Sequence, residues 1–290
     1  MIWLLLSILC STFIFVIFKL FTRFKVDNLL AIVMNYITAY TVGGIDHGFE
    51  VAPWQVPEYR WFSNVVVLGF LFITLFQIMA FVSQKIGVSV VSVAVKMSLI
   101  IPVLFGFYYY GETVTPTKVM GIILALPAVY LATWKREKVK KGLAYAWLPL
   151  LLFVGSGFLD AFLKFNQHEI VPAEEHSLFA SSIFGMAALI GFVFIGVRHL
   201  QAKVHWHWRS LLGGVALGIP NYGSIYFLLK ALEYRGLESS VVFPVNNVGI
   251  VALSVLIGFF GFREHLSFRN VMGILLALVA ILLVASENLF

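Results

Sequence analysis

Ten stretches of about twenty mostly apolar residues follow one another along this 290-residue chain. A helix needs about 20 such residues to cross the roughly 30 Å hydrocarbon core of a bilayer. The stretches are continuously apolar and do not alternate, and a segment in lipid must satisfy its own backbone hydrogen bonds, so helices are predicted and barrel strands are not. The predicted spans are 1–20, 28–45, 62–84, 87–109, 114–134, 143–164, 176–197, 209–231, 237–261 and 269–286.

Composition places these helices in a membrane. Apolar residues make up 61% of the chain and charged residues only 12%, whereas soluble domains carry about 25% charged residues. A soluble fold of this size could not hide so many apolar side chains. The net charge of +6 comes from basic residues gathered in particular loops, without a basic stripe that bears exposed aromatic residues. The lipid bilayer is therefore a predicted partner, and nucleic acid is not.

The connection between spans five and six fixes the predicted orientation. Lys135–Lys141 holds five basic residues in seven, and loops rich in lysine and arginine stay on the cytoplasmic side. Successive spans cross the membrane in opposite directions. With this loop in the cytoplasm, both termini are therefore predicted to lie outside. We predict a multi-pass protein of the bacterial inner (plasma) membrane, acting as a monomer or a homodimer.

An internal repeat relates the two halves of the chain. Val119–Leu126 in span five reads VMGIILAL, and Val271–Leu278 in span ten reads VMGILLAL, 152 positions later. A second set of matches, at a constant offset of 145, joins spans one and six. Its pairs are Ser11 with Ser156, Phe13 with Phe158, and Lys19 with Lys164.

The number of spans in each half determines how the halves must insert. Each half, 1–137 and 142–290, holds five predicted helices. Because five is odd, the two halves enter the membrane with opposite orientation. The sequence therefore predicts an all-α transmembrane fold of two inverted five-helix repeats, a common architecture of secondary transporters.

Together these features resemble the drug/metabolite transporter superfamily, specifically its ten-helix EamA-like members, over essentially the whole chain. The marks are two turns that carry a glutamate, each followed by an apolar helix with an early glycine, and the similar ends of spans three and eight. The two turns carry Glu112 and Glu264, and the early glycines are Gly121 and Gly273. Spans three and eight end in a similar way at 80–87 and 231–236. Arg263 stands where the family's turn has glycine. The resemblance implies a basket of helices around a central cavity that works by alternating access, and it leaves the substrate open.

Lys96 is the most informative candidate for a functional residue. It lies nine residues into span four, roughly 14 Å deep at 1.5 Å per residue and near the middle of the bilayer. A lysine there costs about 2.5 kcal/mol or more unless it is paired or hydrated. It is predicted to line a cavity and meet an anionic group, or else to be a structural lysine paired with a helix carbonyl or a carboxylate.

Polar residues inside other spans form a second group of candidates. In spans eight and nine, two adjacent polar residues follow a proline, which frees a backbone carbonyl one turn earlier. Lone amides also lie in spans two and three. Such groups suit a polar substrate in a cavity, and interhelical hydrogen bonding is the alternative for each. The candidates are Asn221 and Tyr222, Asn246 and Asn247, Asn35, and Gln77.

Three charged residues are candidates for coupling transport to an ion gradient. Asp160 is the only acidic residue well inside a predicted span, and Lys164 follows it by four positions, which favours an ion pair. Lys19 matches Lys164 in the other half. The alternative is a charge pair near the end of span six, with both lysines reaching towards the interface.

Several other polar residues are predicted to be structural. Glu112 and Glu264 are expected to open helices five and ten, where a carboxylate complements the helix dipole. The segment His205–Trp208 is typical of a membrane interface, and it lacks the carboxylate or cysteine that would complete a metal site. Asp46, in the long connection after span two, is expected to be solvated.

The predicted function is a secondary transporter, not an enzyme, that moves a small polar metabolite, anionic or zwitterionic, through a central cavity. The sequence has no Walker motif, so direct use of ATP is not expected and no cofactor is predicted. An exporter of multiple drugs or lipophilic compounds is the alternative, given 16% aromatic residues. A membrane-embedded enzyme is a further alternative, although the sequence carries none of the motifs typical of that class.

Overall fold

A computed structural model describes residues 2–85, 94–132, 147–201, 207–234, 238–262 and 267–289. Within these ranges the fold is all-helical and contains no strand. The α-helices are α1 (Ile2–Phe24), α2 (Asn28–Asp46), α3 (Phe62–Lys85), α4 (Ile100–Tyr109), α5 (Pro116–Ala132), α6 (Leu148–Phe165), α7 (His176–Gln201), α8 (Trp208–Glu233), α9 (Ser239–Phe262) and α10 (Phe268–Leu289). A π-helical turn, Asn166–Ile170, extends α6, and short 3₁₀ turns lie at Val56–Glu58 and Ala173–Glu175.

The length and apolar character of these helices are those of a membrane protein. Six of them, α2, α3, α6, α7, α8 and α9, are long and apolar enough to cross a bilayer, and the apolar parts of α1, α4, α5 and α10 are shorter. Large apolar side chains such as Leu5, Leu150 and Leu282 lie exposed on the outside of the bundle. A surface of this kind suits lipid and not water.

The described helices coincide with the ten predicted spans, except that span four is interrupted. Residues 94–97 are helical, a turn follows at 98–99, and α4 begins at Ile100. Pro102 has no backbone N–H to donate to the Ser98 carbonyl, and that carbonyl accepts from the Ile101 N–H at 2.9 Å instead. The irregular turn therefore lies immediately after Lys96.

Helices of the first half pack mainly against helices of the second half. The most extensive pairings are α5 with α10, α2 with α8, α1 with α8, and α2 with α7. The largest core cluster includes buried Tyr36 of α2, Phe179 and Phe184 of α7, and Trp61 just before α3. Because the two halves share this core, neither half forms a bundle of its own.

The α2–α8 seam is close enough that two glycines of α8 touch the backbone of α2. A Cβ atom added at Gly214 would lie 2.6 Å from the Ala31 carbonyl oxygen, and one at Gly218 would lie 2.6 Å from that of Asn35. These glycines are four residues apart, a spacing that lets membrane helices approach closely.

We expect Gly218→Ala to lower the free energy of unfolding by about 1–2 kcal/mol, because the added methyl group overpacks the seam. Gly196→Ala in α7 is the matched control, since a Cβ there meets nothing within 4 Å. It should be neutral or stabilising by up to about 1 kcal/mol through helix propensity. Denaturant titration in mixed micelles measures both, and an equal effect of the two substitutions would show that the seam is looser than described.

Asp27 ties three helices together at the α1–α2 connection. Its carboxylate caps α2 by accepting from the Leu30 N–H at 3.2 Å, and it accepts from Arg198 of α7 at 2.8 and 3.1 Å. Its backbone N–H donates to the Ser210 hydroxyl of α8 at 2.9 Å. Partial burial raises the pKa of Asp27, but the hydrogen bonds from Arg198 and Leu30 outweigh it, and the pKa lies below the ordinary 3.8.

This lowered pKa predicts an acid-sensitive contribution to stability. A carboxyl group whose pKa is depressed by folding stabilises the fold fully above its unfolded pKa, and this stabilisation is lost as the pH falls through the folded value. The Tm of the wild type should therefore exceed that of Asp27→Asn at about pH 6, and the gap should close below about pH 3. A gap that stays constant across this range would contradict the assignment.

Candidate functional site

Lys96 lies buried where helices of both halves meet. Its side chain is only 8% exposed, and its Nζ donates to Oδ1 of Asn247 in α9 at 3.1 Å. The ammonium group also lies 5.4 Å from the ring centroid of Phe15 in α1, within the range of a cation–π interaction. An amide oxygen and an aromatic face thus compensate part of the cost of burying this charge.

The carboxylate that acts on Lys96 is Asp160 of α6. Asp160 is half-buried, and its charge and that of Lys96 interact electrostatically. The expected local pair with Lys164 is not what the structure has, because Lys164 donates to Gln167 at 3.3 Å and lies over the Tyr110 ring at 5.5 Å. The helix spacing allowed the local pair, but in the folded bundle the charge that acts on Asp160 is that of Lys96.

Asn246 adds a hydrogen-bond acceptor next to Asn247. It is 7% exposed, and its Oδ1 accepts no hydrogen bond from the described residues. A buried acceptor without a partner is costly, and a donor on a bound molecule would relieve that cost. Lys96, Asp160 and Asn247 thus bring an ammonium group, a carboxylate and an amide into interaction, and Asn246 adds an unpaired acceptor at the next position of α9.

The other predicted residues differ in their surroundings. Asn221 of α8 donates to Asn35 of α2 at 3.1 Å, so this pair forms the interhelical hydrogen bond that was the alternative prediction. Tyr222 contacts polar groups of α2 and α7 and not Lys96. Gln77 of α3 has a buried Nε2 atom without a partner among the described residues. The side chain of Lys19 lies outside what the structure describes.

Glu112 has a different structural role from the one predicted. It precedes α5 and caps α9 in the other half: its carboxylate accepts from the backbone N–H groups of Ser239 at 2.9 Å and Ser240 at 2.8 Å, and from the Ser239 hydroxyl. Lys118 and Glu238 form an ion pair beside this cap. The predictions for Glu264, for His205 and for the loop Lys135–Lys141 fall outside the described residues.

Sequence reasoning missed three features of the structure, two of them beside Lys96. Phe15 carried no signal, because it is one of 28 phenylalanines. Pro102 was a usable signal for the irregular turn after Lys96, since proline removes a backbone donor. Asp46 is the last residue of α2 and accepts hydrogen bonds from Ser177 and Tyr222, so the prediction that it is merely solvated was wrong.

Comparison with known proteins extends over the whole chain. No family model matches it. An uncharacterized protein of Haemophilus influenzae is 28% identical over 284 residues, covering 96% of this chain and 95% of the relative. A protein of known crystal structure has a similar fold, with a TM-score of 0.75 and 14% sequence identity over 99% of this chain and 96% of the other. At that identity the likeness concerns the fold alone.

Proposed function

We propose that this protein is a secondary transporter that carries a small polar metabolite across the bacterial inner membrane by alternating access, without direct use of ATP and without enzymatic activity. The observation that carries the proposal is the convergence on Lys96. Phe15 and Lys96 come from the first half of the chain, and Asp160 and Asn247 come from the second. A polar site built from both halves would open to either side as the halves rock against each other.

The helix pairings support two inverted repeats, and with them an EamA-like architecture. Exchanging the halves turns the α2–α8 pairing into α7–α3, and α1–α9 into α6–α4, and each of these pairings is present. The pairings α2–α7, α4–α9 and α5–α10 map onto themselves. The hydrogen bond between Lys96 and Asn247 joins residues 151 positions apart, close to the 152-residue offset of the sequence repeat, so it would lie near the pseudo-twofold axis.

The charges of the site favour a zwitterionic substrate. Lys96 offers an ammonium group and Asp160 a carboxylate, and Asn246 offers an acceptor. A molecule that bears both an acidic and a basic group can pair with each charge in turn. A purely anionic molecule would leave Asp160 as a repulsive neighbour, which costs binding in a site of low dielectric constant.

The test is a thermal-shift screen of the purified protein against metabolites, followed by uptake into proteoliposomes. A stabilising metabolite should lose its effect on Lys96→Met, which removes the charge but keeps an unbranched side chain only one atom shorter. Lys230→Met is the matched control, because Lys230 pairs with Glu233 near the end of α8, away from the site. The proposal fails if the hit stabilises Lys96→Met as much as the wild type, or if that variant transports it at the wild-type rate.

A further inference from the structure

A cavity lies on the side of the bundle, and Lys96 is not among its lining residues. It is a groove of about 700 Å³ between α1, α2 and α8. The α8 residues along it run from Ala216 to Phe227, a length of roughly 16 Å at the rise of an α-helix. Phe13 and Ile219 on its walls are 53% and 56% exposed. Exposed apolar walls on a membrane helix bundle open the groove to the lipid phase.

Asp46 lies at one end of this groove and is the only charged residue among the described residues that line it. Its Oδ2 accepts from Ser177 at 2.5 Å and from Tyr222 at 3.1 Å. Among the described residues, Oδ1 accepts no hydrogen bond and no basic side chain pairs with the carboxylate, which is exposed. The groove therefore ends at a carboxylate whose Oδ2 is fixed by two hydrogen bonds and whose Oδ1 can accept another.

The position of Asp46 strengthens the negative potential at this end of the groove. It is the last residue of α2, and the C-terminus of a helix carries a partial negative charge of its own. An acidic residue at that position is unfavourable for the helix alone. Ser177 and Tyr222 nevertheless fix its carboxylate in place, which indicates a role in attracting a positive charge from outside the protein.

Aromatic rings stand beside the carboxylate. The rings of Tyr222 and Tyr226 stack with centroids 5.6 Å apart, and Phe227 meets Tyr226 edge-on at 5.5 Å. All three line the groove. Aromatic faces attract ammonium groups, and the apolar remainder of the groove suits a hydrocarbon or aryl tail.

We propose that this groove is a binding site for a lipophilic monocation, an ammonium group with an apolar tail, which reaches it through the membrane. The ammonium group lies against the free oxygen of Asp46 and the tyrosine rings, and the tail lies along α1 and α8. A zwitterionic phospholipid fits less well, because none of the lining residues that the structure describes carries a positive charge to meet its phosphate. The site is distinct from the Lys96 site and does not depend on it.

The test is equilibrium binding of radiolabelled dodecyltrimethylammonium to the protein in phosphatidylcholine nanodiscs, corrected for empty nanodiscs, with labelled dodecanol as the uncharged probe. The ammonium should bind about tenfold more tightly than the alcohol, because only the ammonium carries a charge that the Asp46 carboxylate and the tyrosine rings attract. Asp46→Asn keeps an oxygen for Ser177 and Tyr222 but loses the charge, and it should bring the two affinities together. Glu169→Gln, which removes another exposed carboxylate outside the groove, should leave both affinities unchanged.

A second variant tests the location independently of charge. Ile219→Trp fills the groove from an exposed wall position and should weaken binding of both probes. The proposal is overturned if Asp46→Asn keeps the preference for the ammonium, or if Ile219→Trp binds both probes like the wild type. A lipid-exchange experiment measures how much phospholipid stays bound to the wild type and to Asp46→Asn. The proposal is also overturned if the two retain phospholipid equally, because the groove would then hold bilayer lipid.

Discussion

Replacing Lys96 with methionine, or Asp160 with asparagine, is expected to lower the free energy of unfolding by about 2–3 kcal/mol in each case. Each substitution leaves the opposite charge in a site of low dielectric constant without its compensating partner, and Lys96→Met also leaves the Asn247 amide oxygen unpaired. The double variant should be destabilised by about 1–2 kcal/mol less than the sum of the two single variants. Denaturant titration in mixed micelles yields the four free energies of this cycle.

The control cycle uses the partner that the sequence spacing favoured. Lys164→Met and Asp160→Asn should be additive to within about 0.5 kcal/mol, because Lys164 donates to Gln167 and lies over Tyr110. Comparable coupling in the two cycles would contradict a specific electrostatic interaction of Asp160 with Lys96. Strong coupling in the Lys164 cycle alone would show that Asp160 pairs with Lys164, as the sequence spacing favours.

Replacing Glu112 with alanine is expected to lower the free energy of unfolding by about 2–3 kcal/mol. The substitution leaves the N–H groups of Ser239 and Ser240 unpaired at the start of α9, and it removes a contact between the two halves. Glu112→Gln keeps one acceptor oxygen but loses the charge, so about half of that cost is expected. The same titration in mixed micelles measures both variants.

The cost of replacing Glu112 should come from its place at the start of α9 and not from the loss of a glutamate as such. Glu169→Ala removes an exposed glutamate that pairs, among the described residues, only with exposed His168, and it should change the free energy of unfolding by less than about 0.5 kcal/mol. If Glu112→Ala were as mild as this control, the cap on α9 would contribute nothing and the interaction between the halves would have to come from packing alone. A loss in Glu112→Gln as large as in Glu112→Ala would show that the negative charge dominates.

The helices themselves could be predicted from the sequence, because a helix in lipid needs a long apolar stretch and can satisfy its hydrogen bonds locally. The stretches at 28–45, 176–197 and 209–231 lie within α2, α7 and α8 for this reason. Lys96 could also be identified, since a charge in the middle of a span is rare enough to demand an explanation. The break after it at Ser98 was readable from Pro102, although the apolar run alone hid it.

Only the tertiary structure decided which polar groups meet. Asp160 acts on Lys96 and not on Lys164, Glu112 caps α9 and not α5, and Tyr222 joins Asp46. Each of these partners comes from a helix distant in the sequence, and helical periodicity specifies only neighbours three or four positions away. Contacts between helices depend on how their faces rotate and cross, which packing fixes at positions such as Gly214 and Gly218.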